Sequence, residues 1–173
     1  MTSLPPVMNP EMINSPLFST MSELEFNAAS LLWERRHVTK DETIFNEGDQ
    51  GEDMFILLSG SLEAFKSQSD GTQCRMFDIS PGSFLGEMSI IVNEPRPVTV
   101  IAKEDSELMI LQRRDFYKIV FGFPMLGIKM LNSIVAAQDR WLNEYDEYMR
   151  DLIQWGETAR LRAMTNVNNS AKQ

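Results

Sequence analysis

Two short stretches carry residue types that could hold an anion. The first is Pro81-Gly82-Ser83-Phe84-Leu85-Gly86-Glu87-Met88-Ser89. Gly86 lets backbone approach a ligand closely, and the residues after it can open into a short helical turn whose free N–H groups suit an anion. Glu87 adds a fixed acceptor for hydroxyl groups. The second stretch is Glu94-Pro95-Arg96-Pro97-Val98-Thr99-Val100, where one arginine enters an apolar strand between two prolines. A guanidinium in an apolar wall needs an anionic partner, because an unpaired buried charge is costly. Each stretch also has a plainer reading. A Gly-Glu pair can be a simple loop, and Arg96 can pair with one of the chain's 25 Asp+Glu residues. Together, with Glu87 and Arg96 about nine residues apart, they point to one anion with a hydroxyl beside it.

These residues must be positioned by strands. From residue 38 to about 113 the chain reads as all-β, in short runs: Thr43–Phe45, Met54–Leu58, Ser61–Phe65, Cys74–Ile79, Val98–Ala102 and Glu107–Leu111. Turn residues separate them, among them Glu47-Gly48-Asp49, Ser59-Gly60, Asp70-Gly71 and Pro81-Gly82. Short strands at this spacing argue for a sandwich or barrel, and Asp70-Gly71 is a hairpin signal because Gly tolerates positive φ. Ahead of the strands, residues 1–20 hold Pro5, Pro6, Pro10 and Pro16 and read as an irregular arm. Ser22 offers an N-cap with Glu25 as its capping-box partner, opening a short helix with Leu24, Phe26, Leu31, Leu32 and Trp33 that ends before Arg35. His37 beside Arg35 and Arg36 reads as part of a solvated turn, and Cys74 as a packing residue.

After the strands the period changes. Asp115–Val120 is a short helix stopped near Gly122 and Pro124. A long helix follows, in which Leu131, Ile134, Gln138, Trp141, Tyr145, Tyr148, Leu152 and Trp155 are spaced 3, 4, 3, 4, 3, 4 and 3. That alternation is the 3.5-residue repeat of a coiled-coil seam. The expected divisions are an arm (1–20), a β domain (21–125), a long helix (126–160) and a polar tail (161–173).

Composition excludes several alternatives. The chain has 173 residues and a net charge of −9, from 16 Lys+Arg against 25 Asp+Glu, which argues against a DNA-binding face. No apolar run approaches the roughly 20 residues needed to span a bilayer. The opening MTSLPPVMNPEM has neither the basic nor the apolar region of a signal peptide, so a cytoplasmic protein is expected. One Cys and one His leave no zinc site, no Ser-His-Asp triad and no multi-His metal centre of the kind a cupin-like enzyme needs. No catalytic constellation and no resident cofactor are expected.

The stretch from Ser22 to Val120 resembles a cyclic nucleotide-binding domain, the β-roll family shared by catabolite activator proteins, regulatory subunits of cyclic-AMP-dependent protein kinase and nucleotide-gated channels. Glu42–Asp49 resembles its opening strand and turn, and Met54–Leu62 the next strand pair. Gly82–Ser89 followed by Pro95–Val100 resembles its phosphate-binding cassette. The resemblance implies a mainly β, jelly-roll-like antiparallel β-roll with flanking helices and a long C-terminal helix. It implies that Arg96 pairs with a cyclic phosphate, that Glu87 accepts from the ribose 2′-OH, and that Gly86, Met88 and Ser89 supply backbone contacts. In bacterial members a residue of the long helix meets the base. Trp141 stands near that place, as a purine-stacking residue, a seam residue of a dimer helix, or both.

One residue departs from the family pattern. After the arginine the family usually has Ala, Ser or Thr, whose N–H donates to the phosphate. Here it is Pro97, which has none. A hydrogen bond to a charged group is worth about 1.5–3 kcal/mol, so affinity falls by roughly 10-fold to 150-fold or the ligand changes. The expected function is a sensor of cAMP, or second of cGMP, that signals through movement of its C-terminal helix. The expected partners are a twin chain, joined through the 128–155 helix, and an unidentified protein effector. Members that bind DNA add a helix-turn-helix domain after this helix, whereas here only about 18 residues follow Trp155. Neither DNA nor a membrane is an expected partner. The alternative is a β-roll scaffold that has lost its ligand and acts only through its coiled coil.

Overall fold

A computed structural model of the chain describes residue 12, residues 15–139, and residues 142, 150 and 154. Eight strands form two antiparallel four-stranded sheets. In order they are β1 (Glu34–Val38), β2 (Thr43–Phe45), β3 (Asp53–Ser59), β4 (Leu62–Ser67), β5 (Gln73–Ile79), β6 (Phe84–Leu85), β7 (Thr99–Ala102) and β8 (Ser106–Gln112). One sheet runs β1-β8-β3-β6 and the other β2-β7-β4-β5. Helices accompany them, among them α1 (Glu23–Ser30), α2 (Glu87–Val92) and α3 (Arg113–Gly122). The expected β-roll with flanking helices is the fold observed.

Period-2 alternation divides the core. Phe55, Leu57 and Leu108 face the roll interior with Phe45, Leu62, Val100 and Ala102. Met54, Ile56, Leu58, Met109 and Leu111 face the other way, onto Phe26, Trp33, Ile90, Phe116 and Ile119 from the helical layer. Strand β3 is therefore buried on both faces, which is why Met54-Phe55-Ile56-Leu57-Leu58 is unbroken apolar sequence.

Three expectations are corrected. Glu34–Val38 is not a helix end and turn but an edge strand paired with β8, so His37 lies on an exposed strand opposite Glu107. Helix α1 begins at the Ser22–Glu25 capping box as expected, yet stops at Ser30, leaving Leu24 and Leu31 exposed rather than facing the core. Residues 1–11, 13 and 14 of the expected irregular arm lie outside the described residues, and its described end is ordered: Pro16–Phe18 is a 3-10 turn, Met12, Leu17 and Phe18 are buried, and Phe18 packs edge-on against Phe26 and Trp33.

Two compact units divide the chain, residues 1–134 and 135–173. The first contains the elements above and a helix, α4, that starts at residue 124 and buries Leu126, Met130 and Ile134 one turn apart. Of the second, residues 135–139 are helical. Within the coiled-coil pattern, Ile134 is thus committed to the core of its own unit. Its later seam positions, Trp141, Tyr145, Tyr148, Leu152 and Trp155, lie outside the described residues.

Candidate functional site

Gly86 caps α2 in the left-handed region, at φ 81°, which a side chain would resist. This turn sends the chain from β6 straight into α2, with Glu87 as its first residue, 9% exposed. Met88 points outward and Ser89 is buried. The chain leaves α2 through Asn93, also left-handed, and returns through Pro95 to Arg96.

Arg96 lies inside this loop, with only 2% of its surface exposed. Its guanidinium stacks on the Phe45 ring, 4.3 Å from the centroid. Nη1 donates to the Gly86 carbonyl at 3.0 Å. Nη2 donates to the Asp53 carbonyl at 2.8 Å and to the Asp53 carboxylate. Nε is buried with no partner among the described residues. Burial pulls the guanidinium down from its ordinary pKa, opposed by the charges of Asp53, Glu87 and Asp49, and it stays cationic at any physiological pH. Gly51 packs against its face, and a Cβ at either Gly51 or Gly86 would collide with it.

The backbone of Arg96 is pinned by the turn after β2. Its N–H donates to the Asp49 carbonyl at 2.8 Å, and its own carbonyl accepts from Gly48 at 2.9 Å. Pro97 is exposed, and its carbonyl accepts from Lys66 Nζ at 2.7 Å. Lys66 also pairs with Glu47 at 2.6 Å. That ammonium, helped by the Ser67 N–H, holds the Glu47 carboxyl well below its usual range, at about 2.

A second arginine braces the far side. Arg113 Nη2 donates to the Gly51 carbonyl at 2.8 Å and to the Ser89 carbonyl at 2.7 Å, while Nη1 donates to Asn93 Oδ1 at 2.5 Å. It joins α2, the loop before β3 and the head of α3.

The fold thus brings Gly86, Glu87 and Arg96 together, with Met88, Ser89 and Pro97 at the rim. Trp141 lies outside the described residues. The anionic partner that Arg96 requires is supplied here by the chain itself, through Asp53. Asp53, Arg113, Lys66 and Glu47 were not legible as site residues. Each is an ordinary surface type in sequence, and only strand pairing carries it to the loop. An open cleft elsewhere, lined by Leu24, Ala28, Phe123, Pro124 and Met125, offers no anion site, because its one charged group, Glu25, is itself a carboxylate. No metal-holding cluster of His, Cys, Asp or Glu occurs among the described residues. No helix among them is long and apolar enough to cross a membrane.

Comparison with known proteins agrees with this fold. The chain is 29% identical over 146 residues to the cyclic AMP receptor protein of Thermus thermophilus, covering 84% of this chain and 65% of that one. It is 26% identical over 107 residues to the cAMP-dependent protein kinase regulatory subunit of Blastocladiella emersonii, covering 62% and 27%. The crystal structure of the Thermus thermophilus catabolite activator protein matches with a TM-score of 0.70 at 28% identity, covering 80% of this chain and 63% of that one. The chain spans less than two thirds of the length of these relatives. The sequence family described as cyclic nucleotide-binding domain matches residues 35–122, from the edge strand to the end of α3. Those residues include the whole Gly86–Arg96 loop, and the chain belongs to the cyclic nucleotide-binding domain family.

Proposed function

We propose that the chain binds a cyclic nucleotide, cAMP first and cGMP second, and works as a non-catalytic regulatory sensor. The observation that carries this reading is Arg96, a permanent cation almost wholly buried beside the Gly86–Glu87 turn, with its Nε unpartnered among the described residues. A cyclic phosphate fits that cation as a charge-assisted acceptor, and the Glu87 carboxylate is the acceptor for the ribose hydroxyl. Gly86, Met88 and Ser89 contribute backbone at the same turn. Two relatives support cAMP by their names, a cyclic AMP receptor protein and a cAMP-dependent kinase regulatory subunit. In this reading binding shifts the C-terminal helix, and so its pairing with a twin chain or an effector. The ligand can act only through a difference in affinity between two helix positions.

Thermal-shift titration with cAMP, cGMP and linear 5′-AMP tests it. Ligand at about 100 times its dissociation constant adds roughly 2.7 kcal/mol, a rise of several degrees for a chain of this size. A shift with one cyclic nucleotide, lost in Arg96→Ala, is expected. An Arg96→Ala chain that binds as well as wild type would overturn the assignment. No shift at millimolar ligand would favour the ligand-free scaffold, the reading to which Pro97 lends support.

A further inference from the structure

Resting on that reading, we propose that Asp53 is an intrachain competitor for the phosphate and sets the affinity of the site. The argument is one of donor geometry. A guanidinium presents two forks for bidentate recognition of an anion, Nε with one terminal nitrogen and the two terminal nitrogens together. The terminal nitrogen lying beside the Nε–H is Nη2, so both forks include it. In Arg96 the two-hydrogen Nη2 already donates to two Asp53 acceptors, the carbonyl and the carboxylate. The donors left over are the Nε–H, which has no partner, and the second hydrogen of Nη1, whose first goes to Gly86. Neither makes a fork without Nη2, so an arriving phosphate has single donors but no complete fork. Bidentate capture requires the Asp53 carboxylate to leave.

Asp53 is placed to do so. Its side chain is 31% exposed while that of Arg96 is 1% exposed, so water can receive the displaced carboxylate and the arginine need not move. Its position is fixed as the first residue of β3, opposite Gln112 of β8. The apparent dissociation constant is then the intrinsic one divided by the fraction of molecules whose Arg96 is released. Neutralising Asp53 raises that fraction.

Calorimetric titration with cAMP tests this in the full chain, using wild type, Asp53→Asn and Asp53→Ser. Both variants are expected to bind cAMP at least threefold more tightly, with adenosine, which lacks the phosphate, bound equally by all three. A merely structural role for Asp53 would leave cAMP affinity equal or reduced, and either result in variants that still melt cooperatively overturns the proposal while the cyclic nucleotide reading stands. Failure of all three chains to bind cAMP or cGMP overturns both. Should the variants not fold, the wild type still decides. The carboxyl carbon resonance of Asp53 must shift when cAMP is added, and an unmoved resonance at saturation overturns the proposal.

Discussion

Arg96 shows how a single buried cation organises its surroundings. The Phe45 ring, the absent side chains at Gly51 and Gly86, and the inward-turned Asp53 are all shaped around one guanidinium. Its neighbour Pro97 leaves the cassette one N–H short. Pro97→Ala restores that donor, while the carbonyl that anchors Lys66 belongs to the backbone and is retained. The expected outcome is cyclic nucleotide affinity raised by about tenfold or more, the worth of one hydrogen bond to a charged group. Titration of Pro97→Ala against wild type checks this, and an unchanged affinity would mean that the phosphate does not reach position 97. Arg96, Glu87 and Gly86 were legible in the sequence because each declares its chemistry locally: a cation in an apolar run, a carboxylate after a glycine. Asp53 declared nothing. That the arginine would pair with some protein carboxylate could be foreseen, but which of 25 Asp+Glu residues would do so depends on the β3–β8 register.

Burial makes one strand legible and exposure hides another. Strand β3, covered on both faces, reads as a solid apolar run and was located to within a residue. Strand β1 was missed because Glu-Arg-Arg-His-Val buries only Val38, and an edge strand held by backbone pairing and an Arg35–Glu107 bridge at 3.3 Å has no hydrophobic pattern to show. Helix α1 was found through its capping box but not through its packing, since Leu24 and Leu31 are exposed. Besides sharing a buried cluster through Phe26 and Ala29, α1 is tied to α4 by a polar contact. Lys129 Nζ donates to both oxygens of Glu25, at 2.8 and 2.7 Å, and the Ser22 N–H donates to the same carboxylate. The ammonium first, and then the Ser22 N–H, lower the Glu25 pKa from an ordinary 4.5 to about 2. A carboxylate depressed in the folded state stabilises it above the unfolded value, and that contribution disappears as pH falls through the folded value. The contribution of Glu25 is therefore complete above about pH 5 and fades between about pH 4.5 and pH 2. Urea midpoints of wild type and Glu25→Gln should differ at pH 7 and converge toward pH 2. A gap that stays constant with pH would mean that the ion pair contributes nothing specific.

Among the described residues, both hydrophobic clusters, from Met12 to Ile134, lie in the first unit. The proposed function adds a signal passed to a twin chain or an effector. In the proposed sensor the C-terminal helix carries it, with Trp141 serving the base, the seam between twin chains, or both. The two roles respond differently to substitution. Leucine fits a seam position as well as tryptophan does but offers no ring to stack on a purine. Glutamate is unsuited to both. If Trp141 meets the base, Trp141→Leu weakens cyclic nucleotide binding by roughly tenfold or more, since base–aromatic stacking is worth about 1–3 kcal/mol, while sedimentation equilibrium shows self-association unchanged. Should Trp141 serve the seam alone, Trp141→Leu binds as wild type does and only Trp141→Glu separates the chains. A sensor that couples the two gives a third pattern, in which cyclic nucleotide alters the self-association constant of wild type but not of Trp141→Leu. Linkage makes that coupling reciprocal, so the same factor must appear in nucleotide affinity measured above and below the dimer dissociation constant. A wild-type chain whose association ignores the nucleotide would bind its signal without passing it on through this helix.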